Sequence, residues 1–118
     1  MAKQSGIGIS TDMQECVDEC HRCRKMCLAT ARHSLELGGK HADPTHVGLL
    51  LDCAEICQIS ENFMLRRSER HQLTCRVCAD ICRLCAEACE RMGRDDELMQ
   101  QCAEECRKCQ QSCERMAA

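Results

Sequence analysis

The chain has no tryptophan and no tyrosine, and its single aromatic residue is Phe63. Proline occurs once, at Pro44. A β-sandwich or barrel draws on aromatic and β-branched residues, with turn signals every ten residues or so. That supply is missing, and its absence argues against the all-β classes. No apolar run approaches the roughly 20 residues needed to cross a bilayer, so no membrane partner is expected. Positive charge is not in excess either: 16 basic residues face 19 acidic ones, for a net charge of −3. The electrostatic footprint of a nucleic-acid-binding protein is therefore lacking. The opening stretch MAKQSGIGIS has no apolar segment of the kind a secretory signal carries. This predicts a cytoplasmic location, where thiols stay reduced.

What the chain does have is helix formers and cysteine. Ala, Leu, Met, Glu, Gln, Lys and Arg dominate, and 118 residues make one domain. The fifteen cysteines are not scattered. Cys75, Cys78, Cys82, Cys85 and Cys89 follow one another at steps of three and four residues. Cys16, Cys20, Cys23 and Cys27 repeat that spacing, as do Cys102, Cys106, Cys109 and Cys113. Cys53 and Cys57 form a shorter set. Steps of three and four place side chains along the seam that a helix buries in a bundle. Leucine would normally fill such a seam.

Local signals divide the chain into four helices, after a loose arm over residues 1–9. Ser10, Thr11 or Asp12 can cap a first helix from about residue 11 to 37, which Gly38 and Gly39 stop. Asp43 and Pro44 open a second, over about 44–67, as N-cap and first helical residue. Its cysteine phase does not carry through to Cys75. A single helix from Pro44 to Met92 would also be about 70 Å long. Both observations put a tight turn after residue 67, with Ser68 as a cap. The third helix then spans about 69–92, ends at Gly93, and is followed by a fourth over about 95–115. Short connections make successive helices antiparallel neighbours. The predicted fold is all-α: an up-down-up-down four-helix bundle with a cysteine-lined core. A second apolar row on helix two, Leu49, Ile56 and Phe63, could meet a neighbouring helix or another subunit.

In that register the seams stack in layers. Two layers are all cysteine: Cys23, Cys57, Cys78 and Cys109, then Cys27, Cys53, Cys82 and Cys106. Cys20, Cys75 and Cys113 form a layer with Ser60, and Cys85 and Cys102 form one with Thr30 and Leu50. The two ends collect the other soft or nitrogen ligands. Met64, His71 and Met116 join Cys16 at one end, with Met13 just outside. Ser34, His46 and Met99 join Cys89 at the other, with Met92 just outside. His46 and His71 could each be a solvated cap or a ligand, and the methionines either end packing or a mouth that admits metal. His21, His33 and His41 fall off the seam and read as surface residues.

A single buried cysteine behaves as a small hydrophobe, but packing alone would not choose thiol fifteen times. Disulfides between helical neighbours would close only tiny loops and add little stability. Several cysteine triplets match the spacing of radical iron–sulfur enzymes, yet any three-four helical repeat generates that match. Metal binding remains, and soft thiolate and thioether ligands select Cu(I), Zn(II) or iron–sulfur clusters. A Zn(II) ion in four thiolates carries a net charge of −2, and stacking such sites in a dry core is costly. One Cu(I) per thiolate is neutral, so a tube of bridged thiolates can fill without accumulating charge. The reading is a non-enzymatic protein that holds multiple Cu(I) ions. A zinc or iron–sulfur protein, or a thiol redox buffer, is the alternative.

The repeats CVDECHRCRKMC, CAEIC, CRVCADICRLCAEAC and CAEECRKCQQSC, spread over four helices, resemble the copper storage proteins. The resemblance covers about Met13 to Met116 and is to the cytosolic branch. It implies Cu(I) held mainly by cysteine pairs, a homotetramer, and Met and His residues at an open end that guide metal in. Partners beyond copper ions would be copper donor or acceptor proteins or small thiols. Leu50 and Ser60 occupy seam positions of helix two, where cysteine would otherwise add capacity.

Overall fold

In the computed structural model, residues 8–118 are described. They form α1 (Thr11–Leu37), a short 3-10 turn (Gly39–Ala42), α2 (Pro44–Leu65), α3 (His71–Met92) and α4 (Glu97–Ala117). The helices pack as an antiparallel bundle 49 Å long and 21 Å across. Each rests on two neighbours: α1 on α2 and α4, and α3 on α2 and α4. Of the arm over residues 1–9, residues 1–7 lie outside the described part. Ile9 does not behave as an arm residue. It is only 2% exposed and joins the core.

Capping chemistry sets most of the boundaries. The Ser10 hydroxyl accepts from the Met13 amide, closing the start of α1. Asp43 does the same for α2, accepting from the amides of Thr45 and His46, with Pro44 in the first turn. Asp96 rather than Asp95 caps α4, accepting from Met99 N at 2.9 Å. The α2–α3 junction follows a different rule. Arg67 takes the left-handed conformation at φ 55°. Arg67 N bonds to Met64 O and Ser68 N to Phe63 O, both at 2.9 Å. This pair of bonds is the helix-ending arrangement that usually employs glycine. With Arg67 in that place, the stop is barely marked in the sequence. Ser68 forms a turn, its hydroxyl accepting from Arg70 N, and α3 starts at His71 with no side-chain cap.

The seam residues point inward and small residues flank them. Ala54, Ala79, Ala86 and Ala103 are buried beside the cysteines, which lets the helices approach closely. Gly93 is required for the same reason, since a Cβ there would collide with Met99. No described helix is long and apolar enough to cross a membrane.

Candidate metal centre

All fifteen cysteine side chains have no exposure to solvent, and all are free thiols. Their sulfurs touch along the bundle axis. Between α1 and α4, Cys16 and Cys20 each lie 3.7 Å from Cys113, and Cys20 lies 3.8 Å from Cys109. Cys27 contacts Cys106 at 3.8 Å and Cys102 at 3.9 Å. Between α2 and α3, Cys53–Cys82 and Cys57–Cys78 are both 3.7 Å apart. Cys57 reaches across to Cys109 at 3.9 Å. Cys23 departs from the flat layers expected of the seam. Its contacts on other helices are Cys53 and Cys106, both at 3.8 Å, residues assigned one layer further along. The helices are staggered, so adjoining layers interleave.

Interleaving has a chemical consequence. Sulfurs lying within 4.8 Å of one another form four-cysteine groups: Cys20, Cys78, Cys109 and Cys113; Cys57, Cys78, Cys82 and Cys109; Cys23, Cys53, Cys57 and Cys82; Cys23, Cys27, Cys53 and Cys106; and Cys27, Cys85, Cys102 and Cys106. Taken in that order, each group shares two cysteines with the next. They make a continuous ladder rather than separate cages. Zinc prefers closed, isolated tetrahedra, and these groups cannot all be closed at once. Thiolates in contact leave room for single ions between them, but not for a cube of irons and sulfides. A metal that accepts bridging thiolates and carries one charge per thiolate fits the ladder. Cu(I) does both.

Protons are held unevenly along the ladder, some thiols being raised and their neighbours lowered. Contacts to Cys102, Cys106, Cys23 and Cys53, together with burial, push the Cys27 thiol up. Cys106 is raised by Cys102 and Cys23 in the same way, and by burial. The proton it holds serves its neighbours, and hydrogen bonding to Cys106 lowers Cys23, Cys53 and Cys102. At the end near Met64, the Cys113 contact draws Cys75 down, but Cys16 and burial outweigh it and hold this thiol at about 12. Many thiolates in one dry tube would repel one another without compensation. Metal ions supply that compensation as protons leave.

Other expected ligands sit at the two ends. At one end Met64 is fully buried, with its sulfur 3.8 Å from Cys75 Sγ. Met13 and Met116 are half-buried against the core. His71 is half-buried, and its Nδ1 lies 2.9 Å from the Ser68 carbonyl. A carbonyl only accepts, so Nδ1 carries a hydrogen, which leaves Nε2 as the ring atom available to a metal. Ile9, Met13 and His71 line a cavity at this end, and Ile9 is buried against the core there. At the other end His46 is 4% exposed. Its Nε2 lies 3.4 Å from the Ser34 hydroxyl, and its Nδ1 is buried without a partner. Burial lowers its proton affinity and keeps the ring neutral, the form that binds metal. Met99 is fully buried at this end. Of the histidines expected at the surface, His21 faces Glu61 at 3.4 Å and His33 pairs with Asp96 at 2.7 Å.

Sequence reasoning missed three carboxylates. Glu19, Glu61 and Glu105 are each 13% exposed at the side chain, and each has a buried oxygen without a partner. Burial, then the neighbouring Glu19, raises Glu105 to about 8. Burial also pushes Glu19 up, but the neighbouring Glu105 and the hydrogen bond from Arg22 bring it below the usual range. Their only sequence signal is position, since each adjoins a seam residue: Cys20, Ser60 or Cys106.

Known proteins share this arrangement. The family model described as copper storage protein matches residues 9–118. The Nmul_A1745 protein of Nitrosospira multiformis superposes with a TM-score of 0.84 at 45% identity, covering 90% of this chain and 94% of that one. The Cu(I)-bound copper storage protein BsCsp3 gives 0.85 at 30% identity, with 92% and 100% covered. A cytosolic copper storage protein of Streptomyces lividans, solved during copper loading with five coppers, gives 0.82 at 30%, with 90% and 92% covered. No curated protein sequence matches. A ladder of buried thiols on four antiparallel helices, matched from residue 9 to the last residue by one family, places this chain in the copper storage protein family.

Proposed function

We propose that the chain stores many Cu(I) ions inside a preformed bundle, each ion bridging cysteine thiolates of the ladder. The observation that carries this is the sharing of cysteines between successive four-sulfur groups. It demands bridging ligands and a singly charged soft cation. The fifteen cysteines are the principal ligands. Met64, Met13, Met116 and His71 extend the set at one end, and His46 at the other. The work is sequestration, for detoxification or supply, and needs no catalytic group. The cytosolic setting of the Streptomyces lividans relative supports the same location here.

The storage form is a homotetramer in this reading. Helical spacing puts Leu49, Ile56, Ile59 and Phe63 of α2 beside Val77, Ile81 and Leu84 of α3. Ile59, Val77 and Leu84 are each more than 40% exposed. Such a contiguous apolar strip marks an interaction surface.

Anaerobic titration against a competing Cu(I) chelator tests the proposal. It should load on the order of ten or more ions per chain, because soft thiolates hold Cu(I), with helix content unchanged. Saturation at one or two ions overturns it. Sedimentation at micromolar protein should give four chains, and a monomer would remove the tetramer from the account.

A further inference from the structure

The end of the tube that holds His46 is closed by two connections. One is the 3-10 turn Gly39–Ala42, and the other is the segment between α3 and α4. A cavity of about 360 Å³ lies between them, lined by Lys40, His41, Arg91, Met92, Arg94 and Asp95, among others. That volume suits a small molecule, whose sites run from roughly 300 to 1,000 Å³. Lys40, Arg91 and Arg94 are exposed, and none of them enters an ion pair among the described residues. The second acid in the wall, Asp96, is already engaged by the Met99 amide and by His33. Three uncommitted cations therefore face one uncommitted carboxylate, on a chain with a net charge of −3. The cavity also borders the store. Met92 packs against the thiol core. His41 and Arg91 both act electrostatically on His46. The cavity at the opposite end is of similar size, about 370 Å³, but its lining sets one arginine, Arg67, against one carboxylate, Glu69.

We propose that this cavity docks a small anionic thiol that carries Cu(I), pairing the carrier's carboxylates with Lys40, Arg91 and Arg94. The inference rests on the copper-storage reading. Cu(I) favours soft sulfur ligands over water and so arrives as a complex. Transfer is then ligand exchange without redox change. The bond between copper and the carrier sulfur breaks as a bond to Cys89 Sγ forms. The Cys89 proton passes to the sulfur of the released carrier, which departs as a protonated thiol with its carboxylates still charged. Net positive charge around the cavity raises the local concentration of the anionic complex and speeds its arrival.

Stopped-flow loading under anaerobic conditions tests this, with Cu(I) carried either by mercaptosuccinate, a dicarboxylate thiol, or by neutral 2-mercaptoethanol. The variant Lys40→Glu/Arg91→Glu/Arg94→Glu should load at least about tenfold more slowly from the anionic carrier at low salt, and the gap should close as salt rises. Its rate from the neutral carrier and its final capacity should stay at the parent values. Charge reversal at the other end, Arg66→Glu/Arg67→Glu/Arg70→Glu, should leave both rates unchanged. Equal slowing with both carriers, or greater slowing in the variant at the other end, overturns the docking site. A parent protein that saturates at one or two ions would instead overturn the storage reading.

Discussion

Ser60 offers the sharpest test of how the wall of the tube works. It occupies a seam position on α2, one turn beyond Cys57, and has no exposure to solvent. Its hydroxyl has no hydrogen-bond partner. A helical serine often satisfies itself on the carbonyl four residues earlier, and this one does not. A buried unsatisfied polar group costs about 1–3 kcal/mol. A thiol at the same site avoids most of that cost, because cysteine transfers as a small hydrophobe. Ser60→Cys should therefore stabilise the metal-free bundle by about 1–3 kcal/mol. For a domain of this size that is about 3–5 °C in Tm for each kcal/mol. It should also add a ligand to the store and raise capacity by about one Cu(I), since one singly charged ion balances one thiolate. Ser60→Ala is the control. It removes the same orphan hydroxyl, so it should gain comparable stability, but it adds no capacity. Thermal unfolding of the metal-free forms, followed by anaerobic Cu(I) titration of all three proteins, reads both effects. If neither variant gains stability, the hydroxyl is not an uncompensated group. If Ser60→Cys gains stability yet loads no more copper than Ser60→Ala, position 60 lies beyond the part of the α2 wall that holds metal.

Three further outcomes follow from the same geometry. Cys106 touches Cys23 and Cys27 and joins two neighbouring four-sulfur groups, so Cys106→Ser should fold normally and lose about one Cu(I), since one singly charged ion balances one thiolate. Native mass spectrometry would count the ions, and an unchanged count would contradict the ladder. Loading releases thiol protons, so each ion's affinity should fall about tenfold per unit drop in pH below the thiol range; chelator competition at pH 6 and 8 measures it. Cys75 is raised from 9.0 to about 12. Its stabilising contribution to the metal-free bundle is thus complete below pH 9 and lost as pH rises toward 12. Urea unfolding at pH 8 and 11 should show the decline in the parent and a smaller one in Cys75→Ala.

How much of this could be read from the chain differs by feature. The repeat at steps of three and four identifies helices and assigns every cysteine to a buried seam, because a helix has one periodicity and the step encodes it. Ser10, Asp43 and Pro44 mark helix starts through chemistry that is local to a few residues. The α2–α3 junction was less legible. Its left-handed residue is Arg67, and arginine is not a residue that announces such a turn. Ile9 lies outside any periodic run, and its burial depends on where the bundle end comes to meet it.

The sequence by itself determined the helices, the thiol seam and the soft character of the ligands, since each depends on residue type and spacing along one chain. Tertiary structure decided the rest. It staggered α1 so that Cys23 meets Cys53 and Cys106, turning flat layers into a ladder of shared cysteines. It half-buried Glu19, Glu61 and Glu105 beside that ladder, and it packed Ile9 against the core at one end while leaving a cationic cavity at the other. Each of these depends on how far one helix slides against the next, and that displacement is set by packing between helices.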